Sequence, residues 1–203
     1  MKKVLNHFKK VDPVLYAMAV KFDPKEVFAF EKHTNYFERL CRAIAGQQLS
    51  VKASATIWGR FEKLLKGKEL TPENVLKIKH EDMRGAGFSN AKVKYIHAMA
   101  EAIINGEVKI DGLAEMADEE VAAELIKFKG VGQWTAEMFL MFTLGREDLF
   151  SAGDLGLRRA MERLYGLTDP SEEELIKMAE KWAPYRTYAC LVLWESLDNN
   201  PLG

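Results

Sequence analysis

The chain has 203 residues, 48% of them hydrophobic and 29% charged, which fits one globular domain or two small lobes and excludes disordered and fibrous classes. Its longest uncharged stretch, Ala43 to Val51, falls far short of the ~20 residues a membrane helix needs. With 29 basic and 30 acidic side chains the formal net charge is −1, so no global charge announces a nucleic-acid binder.

Read in chain order, the start Met1-Lys2-Lys3-Val4-Leu5-Asn6-His7 lacks the apolar core of a secretory signal, and an intracellular, cytoplasmic protein is expected. Asn35 with Glu38 reads as a capping box before the apolar stripe Phe37, Leu40, Cys41 and Ile44. The break Gly46-Gln47-Gln48-Leu49-Ser50 precedes a second stripe, Ile57, Phe61, Leu64 and Leu65, which stops at Gly67. Thr71-Pro72 opens a further helix. Gly85-Ala86-Gly87-Phe88-Ser89-Asn90 leads into the stripe Val93, Ile96, Ala100 and Ile103, which stops at Gly106. Later helices run from about Asp118, from near Gly132 to Gly145, and over Leu155–Tyr165 with Leu157, Met161 and Leu164 inward; Ser171 and Glu174 form a capping box. No alternating stretch reads as a strand, and no repeat or linker divides the chain. The expectation is an all-α protein of roughly nine or ten helices.

The least ordinary stretch is Leu125-Ile126-Lys127-Phe128-Lys129-Gly130-Val131-Gly132-Gln133-Trp134-Thr135-Ala136. A helix ending at Lys129 and another beginning near Gly132 would be joined by Gly-Val-Gly alone. Glycine there permits φ > 0 and leaves no Cβ to hold a neighbour away. The second helix then offers free N–H groups and its positive dipole end at a tight turn, which suits one phosphate; a plain connection capped by glycine has the same spelling. Asp154, after Gly153, reads locally as the N-cap of Leu155–Tyr165. Trp134 and Trp194 in isolation read as core residues. Gln47 and Gln48 read as exposed amides between two apolar helices. The Gly85–Asn90 segment with Lys92 reads equally as a cap at Ser89 or as a loop reaching outward. Arg158 and Arg159 either pair with Glu162 on their own helix or face phosphate. Cys41 and Cys190, 149 positions apart, exclude a disulfide scaffold and a four-cysteine iron–sulfur cluster, and the four histidines show no metal-ligand spacing.

Together these motifs resemble the helix-hairpin-helix (HhH-GPD) base-excision DNA glycosylases, and within them the 3-methyladenine DNA glycosylase II, or alkylbase, branch. The pattern of an aliphatic residue, Gly-x-Gly and Thr-Ala is followed by Gly153-Asp154, 22 positions beyond Gly132. Gly46–Ser50 matches upstream, and Trp182-Ala183-Pro184-Tyr185-Arg186-Thr187-Tyr188-Ala189 with Trp194 matches downstream. The resemblance spans Tyr36 to Trp194, 159 of 203 residues. It implies a two-lobed all-α fold, a single domain in which the N- and C-terminal segments form one lobe and residues from about 48 to 145 the other. The active cleft is expected between the lobes. Only about 35 residues precede the match, so the antiparallel β domain of longer relatives is expected to be missing.

The resemblance also implies roles. Asp154 is the catalytic aspartate, whose charge stabilises the oxocarbenium-like sugar formed as an N-glycosidic bond breaks. Strand-cutting members carry a Schiff-base lysine where this chain has Trp134, so a monofunctional hydrolase is implied. Trp194, Trp134 and Met138 would line the flipped-base pocket, where an indole face favours a cationic alkylated purine; Met138 stands where relatives have an aromatic residue. Gln48 is the candidate wedge that fills the gap left by the extruded nucleotide. Gln47, Lys129, Gly130, Gly132, Thr135 and Arg158 are candidate DNA contacts. The carbonyls of Ile126, Phe128 and Val131 would hold a monovalent cation, sodium or potassium, and no organic cofactor is implied. The expected partner is duplex DNA with a damaged base, bound by a monomer and, in a prokaryote, at the nucleoid. A glycosylase for deaminated or oxidised bases and a non-catalytic DNA-binding module are the alternatives.

Overall fold

The computed structural model describes residues 1–28 and 33–198. Thirteen α-helices account for the regular structure: α1 (Lys2–Val11), α2 (Pro13–Ala19), α3 (Pro24–Val27), α4 (Tyr36–Gly46), α5 (Val51–Leu64), α6 (Pro72–Val75), α7 (His80–Ala86), α8 (Asn90–Ile104), α9 (Asp118–Leu125), α10 (Gln133–Phe142), α11 (Leu155–Tyr165), α12 (Glu172–Ala179) and α13 (Arg186–Asp198), with two short 3-10 turns and no strand among the described residues. The helix opened by Thr71-Pro72 is there as α6, and the count exceeds the sequence expectation because short helices such as α3, four residues starting at proline, lack a periodic stripe to betray them.

Caps decide where many helices begin. Asp12, Asp23, Ser50, Thr71, Ser89, Asp154 and Ser171 each accept a backbone N–H of the first turn. Ser171 and Glu174 complete the expected box, each side chain taking the other's N–H. At Asn35 the amide oxygen accepts from Glu38 N–H at 2.9 Å, while the Glu38 carboxylate pairs with Arg42, also at 2.9 Å.

Contacts divide the chain into two compact units, one formed by Met1–Lys32 with Gly145–Gly203 and the other by His33–Leu144. In the first, α11 and α13 pack on each other and on α2, and α1 packs on α2. Leu15, Met18, Leu157, Met161, Trp182 and Leu193 lie in its core. In the second, α4 packs on α5, α8 and α10, α9 pairs with α10, and α7 rests on α5 and α8. The predicted stripe Phe37, Leu40, Cys41 and Ile44 is buried there, as are Val93, Ile96 and Ala100 of α8. Phe61 stands at the centre of an aromatic run, 5.3 Å from Trp58 and 5.2 Å from Phe88 between ring centroids.

Candidate functional site

On the first unit, α11 and α13 bring Asp154 and Trp194 together. Asp154 is the N-cap of α11, and its Oδ1 accepts Leu157 N–H at 2.8 Å. The same oxygen accepts Trp194 Nε1–H at 3.0 Å. The carboxylate is thus oriented from two sides at the positive end of a helix, where a negative charge is favoured. The start of α13 is itself anchored, because Arg186 grips Asp148 through Nε at 2.8 Å and Nη2 at 3.0 Å. That ion pair and the Arg186 N–H hold the Asp148 carboxyl below its ordinary range, outweighing the upward push of burial.

Gly156 makes the arrangement sterically feasible. A Cβ there would stand 3.0 Å from Asp154 Oδ1 and 3.2 Å from two indole atoms of Trp194. Sequence reasoning passed over this glycine, although a glycine in the first turn of a helix is the available signal of close approach. Leu155, beside Asp154, is 67% exposed, an apolar side chain on an outer surface that was likewise not singled out. Arg158 pairs with Asp169 at 3.6 Å and not with Glu162, since the chain turns back after α11 and presents Asp169 to it.

On the second unit, Gln47, Gln48, Trp134, Thr135 and Met138 line one pocket of about 810 Å³ together with Arg42, Leu49, Ser89, Lys92 and Tyr95. Trp134 is 49% exposed, which excludes the plain core reading for it. Thr135 is buried. Gln48 is exposed and holds φ +57°, a left-handed conformation rare for a residue with a Cβ. The Gln47 side chain turns inward, donating through Nε2 to Gly130 O at 2.7 Å. Lys92 donates its ammonium to Ala45 O at 2.8 Å and to Gln47 O at 2.7 Å, and burial pushes its pKa down. Ser89 caps α8, accepting Lys92 N–H at 3.2 Å, so the cap reading of that segment holds while its lysine points at backbone. Arg42 stacks 4.4 Å above the Trp58 ring and pairs with Glu38 and Glu62, leaving its charge compensated. Tyr95 is the pocket residue the sequence concealed, since one aromatic on a helix surface carries no mark of its neighbours.

The hairpin departs from expectation in two ways. The helix before it stops at Leu125 and not at Lys129. Phe128 and Val131 are buried and pull the chain into tight turns, with Phe128 N–H bonded to Leu125 O and Val131 N–H to Phe128 O. Only Gly130 takes a positive φ, +90°, while Gly132 is an extended N-cap at −100°. A Cβ on Gly130 would strike the Tyr95 ring at 2.4 Å, whereas one on Gly132 meets nothing within 4 Å. Gly132 is exposed, Lys129 is exposed, and Gly132 begins α10 with no side-chain cap for the helix's first N–H groups.

Residues 41–184 match the model of the HhH-GPD superfamily of base excision DNA repair proteins. The chain belongs to this superfamily. Among its relatives, DNA-3-methyladenine glycosylase 1 of Schizosaccharomyces pombe is 38% identical over 163 residues, covering 79% of this chain and 72% of that protein. The crystal structure of a DNA-3-methyladenine glycosidase from Bacillus halodurans superposes with a TM-score of 0.78 at 36% identity, over 94% of this chain and 88% of the other. The Schizosaccharomyces pombe 3-methyladenine DNA glycosylase, solved in complex with abasic DNA, gives a TM-score of 0.76 at 31% identity, over 97% of each chain. The HhH-GPD chain is all-helical among its described residues, and no helix there is long and apolar enough to cross a membrane.

Proposed function

We propose that this chain is a monofunctional DNA glycosylase that hydrolyses the N-glycosidic bond of alkylated purines of the 3-methyladenine and 7-methylguanine type in duplex DNA, leaving an abasic site for base excision repair. The observation that carries the reading is the Asp154 carboxylate, fixed by Leu157 N–H and Trp194 Nε1–H on one oxygen. Breaking the bond builds positive charge on the sugar, and a preoriented anion lowers that barrier without reorganising at the moment of reaction. An alkylated purine already carries positive charge, so it leaves without strong general-acid help. Trp134 offers an indole face on the pocket wall, and attraction of a cationic ring to such a face is worth ~0.5–2 kcal/mol. An indole cannot form a Schiff base, which supports hydrolysis by water alone.

In this reading Gly132, Lys129, Thr135 and the start of α10 hold the DNA backbone, with Arg158 as a further phosphate contact, and Gln48 fills the gap in the stack. Gln47 acts from within, on Gly130. The carbonyls of Ile126, Phe128 and Val131 lie at and beyond the C-terminal end of α9, and the Phe128 oxygen, taking only Val131 N–H at 3.0 Å among the described residues, keeps a lone pair for a sodium or potassium ion. Such an ion would tighten the hairpin; no step of the hydrolysis runs through it. No organic cofactor is called for. The enzyme acts as a monomer where the cell keeps its DNA, at the nucleoid of a prokaryote.

The test is chromatography of bases released from DNA treated with a methylating agent, with borohydride added to a parallel reaction. Free 3-methyladenine or 7-methylguanine, strand breaks only after alkali, and no trapped protein–DNA adduct are expected. Release of no methylated base, or a stable trapped adduct, overturns the reading.

A further inference from the structure

Gln48 is exposed, carries a Cβ, and still holds φ +57°. Its neighbours show what keeps it there. The chain leaves α4 at Gly46, and Leu49 N–H returns to Gly46 O at 3.1 Å, closing a turn around Gln48. Lys92 reaches this turn from α8 and bridges two carbonyls on either side of Gly46, Ala45 O at 2.8 Å and Gln47 O at 2.7 Å. A cation at the carbonyl end of a helix is favoured by the helix dipole and satisfies acceptors that have lost their helical donors. The Gln47 amide then donates to Gly130 O at 2.7 Å. One turn beyond Lys92 on the same helix, the Tyr95 ring lies against Gly130 so closely that a Cβ there would sit 2.4 Å from it. Lys92 and Tyr95 thus support two segments from one face of α8: the turn bearing Gln48, and the hairpin.

We propose that Lys92 is a positioning residue for base extrusion: by bridging Ala45 O and Gln47 O it sets Gln48 in the left-handed conformation from which it enters the duplex, with the Gln47–Gly130 bond tying that turn to the hairpin. The proposal rests on the glycosylase reading with Gln48 as the wedge. It separates Lys92 from an ordinary phosphate-binding lysine, because two of its three donors are committed to the protein's own backbone. A hairpin gripping phosphate and a wedge pushing on bases must share a fixed frame, or the push is dissipated in moving the loop. The two carbonyl bonds and the Gln47 amide supply that frame within one unit of the fold.

The experiment compares wild type with Lys92→Met, which keeps the aliphatic stem and removes the ammonium, and with Gln47→Met, which cuts only the link to Gly130. Single-turnover release of 7-methylguanine from a fully paired duplex is expected to fall about tenfold or more in Lys92→Met, but less than about threefold when the lesion lies in a mismatch and is already easier to extrude. A phosphate contact would instead lower the salt slope of binding to undamaged duplex by about 1, so an unchanged slope is expected. Asparagine tolerates the left-handed region, so in a Gln48→Asn background Lys92→Met should cost less than it does in wild type. Equal losses on paired and mismatched lesions, or a reduced salt slope, overturn the proposal. Wedge insertion is also read without chemistry, from 2-aminopurine fluorescence beside an abasic site, and both variants should insert less than wild type. Wild-type insertion without any base release would count against the glycosylase reading and leave the positioning role standing. Unchanged insertion in Lys92→Met would do the reverse, and Gln47→Met gives the same reading if Lys92→Met fails to fold.

Discussion

Asp154 is both a helix cap and a fixed anion, and substitution separates the two. Asparagine keeps an oxygen for Leu157 N–H, so Asp154→Asn should cost about 1 kcal/mol or less of stability. Removing the charge should slow single-turnover base release by ~10²–10³, the usual loss when one preorganised electrostatic group goes. A variant that melts normally yet keeps more than about a tenth of the rate would remove Asp154 from the chemistry. Trp194 admits a finer cut. Trp194→Phe retains an aromatic ring but withdraws the N–H from Asp154, 3.0 Å away, and a hydrogen bond to a charged group is worth roughly 1.5–3 kcal/mol. A fall of about ten- to a hundredfold in the chemical step is expected, read by single-turnover kinetics beside unchanged affinity for abasic DNA. An unaltered rate would make Trp194 a pocket wall only. The sequence carried Asp154 through its Gly-Asp spacing, and it flagged Trp194 as a wall. It did not carry the bond between them, because a contact across 40 positions depends on how α11 and α13 pack.

At the scale of elements, the hairpin shows what pattern can and cannot convey. Gly-x-Gly marked the turn, but the two glycines looked alike in the sequence and do different work. Gly130 answers to the fold through its φ of +90° and the Tyr95 ring beneath it. Gly132 is extended and open, and nothing in the surrounding fold requires a glycine there. Gly130→Ala should therefore lower the melting temperature, since a Cβ brings both left-handed strain, on the order of 1 kcal/mol, and a clash. Gly132→Ala should melt as wild type but bind duplex DNA more weakly, to a similar extent for every sequence, as loss of a backbone contact does. Thermal melts beside abasic-DNA titrations make the comparison. Weak binding without a stability change at Gly130, or full binding at Gly132, would reverse these assignments. The helix before the turn was read four residues too long because Ile126, Phe128 and Val131 continue an apolar pattern that suits a helix or a tight turn equally. Burial of Phe128 and Val131 favours the turn.

At the scale of the whole molecule, the first unit must join two ends of the chain, and a buried carboxylate near the N-terminus does much of the joining. Asp12 is 2% exposed. Its Oδ1 caps α2 by accepting Leu15 N–H at 3.0 Å. Its Oδ2 accepts Tyr165 Oη–H at 2.7 Å and Trp182 Nε1–H at 2.8 Å, and pairs with Lys181 Nζ at 2.9 Å. Locally Asp12-Pro13 spells only a helix start; the partners lie 153 and 170 positions away, beyond what spacing reveals. Asparagine cannot replace this residue, because its one oxygen serves either Leu15 or the three donors opposite, and its NH₂ then faces a donor. Alanine leaves the buried indole N–H of Trp182 without an acceptor, and a buried donor left unsatisfied costs about 1–3 kcal/mol. The pH dependence follows. Burial pushes the Asp12 carboxyl up, but Leu15 N–H, Trp182, Lys181 and Tyr165 together hold it below the ordinary carboxylate range. The unfolded chain therefore takes up this proton more readily than the folded one, and stability rises with pH wherever it does so. The contribution is complete above the unfolded-chain value of ~3.9 and drains away as pH falls through the lower, folded one. Denaturant melts from pH 7 to pH 3 should show wild type losing stability below about pH 4, with Asp12→Asn weaker at neutrality and less steep on the acid side. Parallel acid limbs for the two proteins would show that Asp12 is not the group whose protonation loosens this unit.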